Sequence, residues 1–591
     1  MFKFRLISLP LIIVAVCAGI FAQTADKKSE EKQKQQTALL EQIVKDADAL
    51  RLPENRALVL AKLGDSFWAT DEKRARQIFQ DAVNALVAAQ IDAEADKKQQ
   101  GNLYGLIYGT SPRQEILQMI AARDAEFALD AFYKSRPSKI AQALAAAAAN
   151  SERKDSESQQ YAQNETNFEQ SLIGKVSDRN PQRALKLFRE SLAKGVTYEA
   201  INLLEKFKTK DLELANQLAS EVADKLLAAD FEKDANAAIL TASFIGEYGK
   251  KPEPNQKTIK IDDKTLRDLT AKFIKNLLKS DNADYDVEYL LPVIEKYAPE
   301  SLAALRQKKA KYDKENKRED YDAFNKLIES SPSPEKLLSE AEKYSDELKS
   351  QIYYAAAEKT AQSGNVEGAK KIISLRLPEG ERENYLTQIN YGLIQQAITA
   401  EKYDEAAALI NQIPAENQRF YFFIQLATTI YQKNPAENKR QALSVVEQAR
   451  ALISQPVETL EDISEAMQIA STLADIDAEQ AFPVLENLTY QLNEYVEAAA
   501  IVGKYRNDGT MRKGEMIVNS YGSVSGLNSM SQILTSLGKK DFGRTAAFVG
   551  GLQRLEVRVS LEMQLIETAP APATDAPAGV SGGTVAVDKV Q

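Results

Sequence analysis

The chain has 591 residues, no histidine and a single cysteine, Cys17. That composition excludes His/Cys zinc sites, Ser-His-Asp and Cys-His relays, haem and iron–sulfur ligation, and a histidine general base. The 75 basic and 85 acidic side chains leave a formal charge of -10, an acidic balance that argues against a nucleic-acid surface.

Residues 1–22 read as a secretory signal peptide, with Lys3 and Arg5 at the start, an apolar run from Leu6 to Ala18, and small Ala22 at the end. The apolar run is shorter than the roughly 20 residues needed to cross a bilayer. The expectation is cleavage before Gln23 and an exported chain, periplasmic or extracellular, with no integral membrane span. Lipid attachment at Cys17 is the lesser alternative, because bulky Val16 stands where that processing favours a small residue.

After a polar linker, 23–37, apolar residues recur at three and four positions almost without interruption. The pattern predicts an all-α fold, a right-handed α-solenoid of antiparallel helical hairpins. Breaks divide it into an N-terminal helical repeat region over 38–249 and a linker over 250–264 with two prolines. A helical connector over 265–330 ends near the Ser-Pro run 330–334, and a second helical repeat region covers 331–505. The region 506–567 is helical after a start rich in glycine (Gly509, Gly514, Gly522, Gly526), and the Pro/Ala/Gly tail 568–591 is expected to be disordered.

A phrase recurs at helix starts: Asp or Asn, three residues, Ala, two residues, then two positions that are mostly large and apolar. It begins at Asp71, Asp124, Asn180, Asp211, Asn365, Asn438 and Asp477, with Ala at 75, 128, 184, 215, 369, 442 and 481. Lys402 replaces the acid or amide in one variant, before Ala406, and Thr545 replaces Ala in another, after Asp541. The first slot would cap the exposed amides of the opening turn. The small residue would admit a neighbouring helix, and the residues three and four further on share its face. Between Ala369 and Ala481 the spacings are 37, 36 and 39 residues, predicting irregular repeats of about one helical hairpin in the second half.

Three copies place an aromatic four residues after the small one, as Ala75 with Phe79, Ala128 with Phe132 and Ala184 with Phe188. Leu63-Gly64, Phe67 and Ala82 accompany the first, and Gly364-Asn365 looks like an inter-helix turn. This pattern resembles the tetratricopeptide-type helical repeats, over isolated phrases in about half of the chain. The resemblance implies an α-solenoid whose surface binds peptides or other proteins.

Catalytic constellations are sparse. Acidic pairs such as Asp262-Asp263 and Glu461-Asp462 read as solvated charge. Asp281, Asp284 and Asp286 crowd together but lack the glycine and distal glutamate of a calcium loop. Ser-x-x-Lys occurs at Ser29, Ser151 and Ser536 in polar or turn-like sequence, where no lysine would be buried enough to act as a base. Glu190-Ser191 resembles the Glu-Ser pair of lysozyme-like murein transglycosylases, without the Gly- and aromatic-rich sequence that should follow. No metal or cofactor is expected.

One aromatic run, Phe420, Tyr421, Phe422 and Phe423, lies in a predicted helix near Arg419. Consecutive helical residues diverge around the axis, so some of these rings must point away from the core unless repeats pack on both sides. They are the candidate partner-binding residues. The leading expectation is an exported, non-enzymatic scaffold that binds other proteins or peptides in a bacterial periplasm or cell envelope. The alternatives are a carboxylate-dependent glycan enzyme or its accessory subunit, and a structural envelope protein without a defined ligand.

Overall fold

A computed structural model describes residues 30–95, 112–148, 156–232, 234–250, 257–279, 288–315, 318–330, 332–506, 510–518 and 529–568. The signal-peptide segment with Cys17, the acidic cluster 281–286 and the tail beyond Thr568 lie outside them. The described residues form helices joined by short turns, with one small β-ribbon. They fall into two compact units, Thr70–Leu452 and a second assembled from the two chain ends, up to Ala69 and from Ile453. Both the proline-containing linker and the 330–334 break fall within the first of these units.

Within Thr70–Leu452 the building block is the antiparallel helical hairpin. Pro112–Arg123 packs on Ala125–Lys134, Ser156–Arg179 on Pro181–Leu192, and Tyr198–Lys210 on Leu212–Ala228. Further along, Asp346–Gln362 packs on Val366–Arg376, Arg382–Thr399 on Tyr403–Ile410, and Glu416–Lys433 on Pro435–Arg450. Neighbouring hairpins stack, as where Ser156–Arg179 lies against Tyr198–Lys210 and Asp346–Gln362 against Arg382–Thr399. The fold is an all-α helical repeat.

The recurring phrase acts as its chemistry requires. Side chains of Asp71, Asp124, Asn180, Asp211, Asn365 and Asp541 accept from the backbone N–H three residues on, at 2.9–3.2 Å. Every small residue of the phrase is completely buried, from Ala75 to Ala481, and so is Thr545. Thr545 survives there because its hydroxyl donates to the Asp541 carbonyl at 2.7 Å. The residue four further on is also fully buried in each copy: Phe79, Phe132, Phe188, Ala219, Ile373, Ile410, Val446, Leu485 and Val549. These pairs form the seam along which hairpins close.

Two copies depart from the expected capping. The cap of Pro435–Arg450 is Asn434, one turn before Asn438, because Pro435 starts the helix and Asn434 accepts from Glu437 N–H. Asn438 instead donates to the Ile430 carbonyl at 3.0 Å, tying the two helices of its hairpin together. Lys402 precedes Tyr403–Ile410 without a side-chain cap, as a side chain with no acceptor must. Gly364 turns the chain between helices at φ +91°, with open space where a Cβ would stand, so backbone conformation alone selects glycine.

The second unit pairs Leu460–Ile476 with Ala478–Arg506 and Met530–Lys540 with Phe542–Gly550, and closes with Leu555–Thr568 against Pro53–Phe67. Between the hairpins, Met511–Arg512 and Glu515–Met516 form an antiparallel ribbon. Its turn residues, Lys513 and Gly514, both have positive φ, at 49° and 79°, as a two-residue hairpin loop demands. The ribbon lies within the glycine-rich start of the 506–567 region, ahead of its helices. The ribbon forms because Glu515, 5% exposed, is held by the other end of the chain. It accepts from Arg51 N–H at 2.6 Å, Leu52 N–H at 3.3 Å and the Asn55 amide at 2.7 Å.

Candidate protein-interaction site

The aromatic run lies on Glu416–Lys433, the first helix of its hairpin. Helical geometry separates its members: Phe420, Phe422 and Phe423 are 2%, 6% and 1% exposed, while Tyr421 is 57% exposed. Phe420 and Phe423 are core. Tyr421 stands on the outer face, with its ring 5.8 Å from that of Phe422 in an edge-to-face arrangement.

Phe422 faces the preceding hairpin, where the Tyr391 ring on Arg382–Thr399 packs against it at 4.7 Å between centroids, tilted by 54°. Tyr391, Asn417, Gln418, Tyr421 and Phe422 surround a shallow, mainly apolar hollow of about 330 Å³. The hollow lies between successive hairpins, since Tyr391 comes from one and the other four residues from the next. Gln395 donates to Gln425 at 3.0 Å between the same helices and fixes their spacing. Burial raises the Tyr391 phenol above its ordinary pKa, so the hydroxyl stays protonated across the physiological range.

The arrangement combines three aromatic rings with two side-chain amides that offer both donors and acceptors. It can stack against an apolar or proline-rich side chain and hydrogen-bond to an extended backbone. Sequence reasoning located the run but missed Tyr391, Asn417 and Gln418. Tyr391 belongs to another hairpin, 30 or so positions upstream, and no periodicity links it to Tyr421.

Buried carboxylates cluster elsewhere in the same unit, on Ser156–Arg179, and their lone pairs are occupied. Glu165, 4% exposed, receives a forked contact from Arg113 at 3.0 and 3.1 Å and one from Arg136 at 2.9 Å. One turn on, Glu169 accepts from Lys194 at 2.7 Å and from the Tyr133 hydroxyl at 2.9 Å. Burial, reinforced by Glu169, pushes the Tyr133 phenol well above its usual range. Arg113 and Arg136 also lie over the Phe132 ring, at 4.7 and 5.0 Å. This network clamps two successive hairpins together.

Glu190 is exposed on Pro181–Leu192, whereas Ser191 beside it is fully buried. The two side chains therefore occupy different environments, one in water and one in the core. Among the described residues no group of three potential metal ligands converges, and no helix is long and apolar enough to cross a membrane.

No protein-family model matches the chain, and no curated protein matches it. Among solved structures it is similar to a circular tandem repeat protein with novel repeat topology and enhanced subunit contact surfaces. That match is 13% identical, covers 88% of this chain and 99% of the other, and has a TM-score of 0.14.

Proposed function

We propose that this chain is an exported, non-enzymatic scaffold of tetratricopeptide-like hairpins that binds an extended segment of another protein in a bacterial periplasm or cell envelope. The observation that carries the reading is the position of Tyr421. A large aromatic side chain projects into solvent beside a hollow whose floor, Phe422, and far wall, Tyr391, are also aromatic. Exposed aromatic anchors over apolar hollows concentrate binding energy in few residues, and the flanking Asn417 and Gln418 amides suit the backbone of an extended peptide. The occupied lone pairs of Glu165 and Glu169 support a structural rather than catalytic role for those carboxylates. Export rests on the pattern of residues 1–22 and is tested by sequencing the N-terminus of the protein isolated from its cell, expected at Gln23.

The binding test is selection from a displayed library of random peptides on the full chain. Enriched peptides should carry an apolar or proline-rich core and lose at least about tenfold in affinity on Tyr421→Ala and several-fold on Asn417→Ala. Enriched peptides that bind both variants as tightly as the parent would reject this site.

A further inference from the structure

We propose that the outer face of the last turns of Ala478–Arg506 is a self-association surface, and that its occupant is the same face of a second copy of this chain. Tyr490, Ile501, Val502 and Tyr505 on this helix are 67%, 53%, 51% and 78% exposed. With exposed Ala498, the residues Ile501, Val502 and Tyr505 recur at helical spacing and form one apolar stripe, and Tyr490 lies two turns before it on the same face, across Glu494. The opposite face is fixed inward by Leu488, Leu492, Val496, Ala500 and Gly503. At Gly503 a Cβ would come within 2.7 Å of the Met511 side chain, so the ribbon seats directly on that face and the stripe stays outside.

Charge selects the occupant. Glu494 stands toward the N-terminal end of the stripe, where Glu497 is paired with Arg554 of its own copy at 2.9 Å, while Lys504 and Arg506 follow at the C-terminal end. Glu494 is oriented by the Tyr490 hydroxyl, which donates to it at 2.8 Å. When two such helices lie antiparallel about a two-fold axis near residue 499, the acidic end of each copy meets the basic end of the other. A parallel pairing would set like charges together. The face is thus self-complementary in the sense that an isologous dimer requires. Glu494 and Lys504 stand about 15 Å apart along the helix and bracket Ala498 and Ile501, and the small Ala498 allows the axes to approach. One contact of about four helical turns is smaller than a permanent interface, so the dimer is expected to be weak and concentration-dependent.

Sedimentation velocity on the full chain from about 1 to 300 µM tests the proposal. The expected result is a concentration-dependent monomer–dimer equilibrium; a monomer throughout overturns it. Ile501→Asp, a change at an exposed position whose folding is checked by circular dichroism, should weaken the dimer about tenfold or more. Undiminished association in this variant overturns the assignment of the face. Glu494→Lys and Lys504→Glu should each weaken self-association, and an equimolar mixture of the two should recover a mixed dimer. A mixture that associates no better than its components overturns the antiparallel pairing. Tyr421 belongs to the other unit, and Tyr421→Ala should leave the equilibrium unchanged, which keeps this test separate from that of peptide binding.

Discussion

Asn55 and Glu515 stand 460 positions apart and meet through a buried side-chain hydrogen bond of 2.7 Å. The same Asn55 amide donates to the Met516 carbonyl at 2.7 Å and accepts from the Val518 N–H at 2.9 Å, so one side chain pins the second strand of the ribbon and its exit to the first helices of the chain. Asn55→Ala leaves a buried carboxylate short of a donor and a buried N–H without an acceptor. It should cost about 2–3 kcal/mol. Trp68, the only tryptophan, belongs to the same unit and its fluorescence follows urea unfolding there. An unchanged midpoint would show that the contact carries no stability.

Glu562 gives a pH dependence of unusual sign. Burial pushes its carboxyl up to about 7, with Arg558 opposing the shift and Asp46 reinforcing it. The folded chain therefore holds a proton that the unfolded chain releases near the ordinary carboxylate pKa. The stability that this adds is complete at acid pH and is lost as the pH climbs from about 4.5 to about 7. Glu562→Gln should match the parent near pH 4 and exceed it by about 1–3 kcal/mol at pH 8. Parallel pH profiles for the two proteins would contradict this.

Asp462 behaves in the opposite way. It forms a capping box with Thr459 and also accepts from Ser454 and Glu458 N–H groups. Burial alone would raise its pKa, but these hydrogen bonds, led by that of Thr459, outweigh burial and hold the carboxyl below its usual range. Its stabilisation is present above about pH 4 and fades as the pH falls through the lowered pKa. Asp462→Ala should cost about 1–2 kcal/mol at pH 7, and the gap should narrow in acid. Thermal unfolding of both proteins at pH 7 and pH 3 provides the comparison.

In the other unit, Glu165 neutralises two arginines, Arg113 and Arg136, inside a packed interface. Glu165→Ala removes the carboxylate that both guanidinium groups share, leaving Arg113 only its bonds to Ser135 and the Phe132 carbonyl and Arg136 the more distant Glu169, and should cost about 3–5 kcal/mol. Hydrogen exchange should show the loss first in Pro112–Arg123 and Ser156–Arg179, the helices joined by the Arg113 contact. Protection unchanged in both helices would assign the network no role in holding them.

The hairpin seam was legible in the sequence because its chemistry is local: an Asp or Asn cap, a small residue and an apolar residue four further on span barely two turns. Asn438 misled because the capping signal and the alanine register can be offset by a turn, and Pro435 decides between them. The ribbon at Lys513-Gly514 lacked the Asn or Asp that marks most tight hairpins, and its stabilising partners lie at residues 51–55. The aromatic run gave the right helix, but only packing separates Tyr421 from its three buried neighbours, and only stacking of successive hairpins brings in Tyr391.

The unit assembled from both chain ends sets an order on the making of the protein. Residues 30–69 leave the ribosome first, yet the groups that hold them, from Glu515 to Glu567, are translated last. The intervening unit has all of its own partners by the time Leu452 is added and can fold while synthesis continues. The contacts of the first helices with Glu515 to Glu567 form only once that segment has been made. A nascent chain interrupted before residue 515 therefore carries a finished middle and an unfinished beginning.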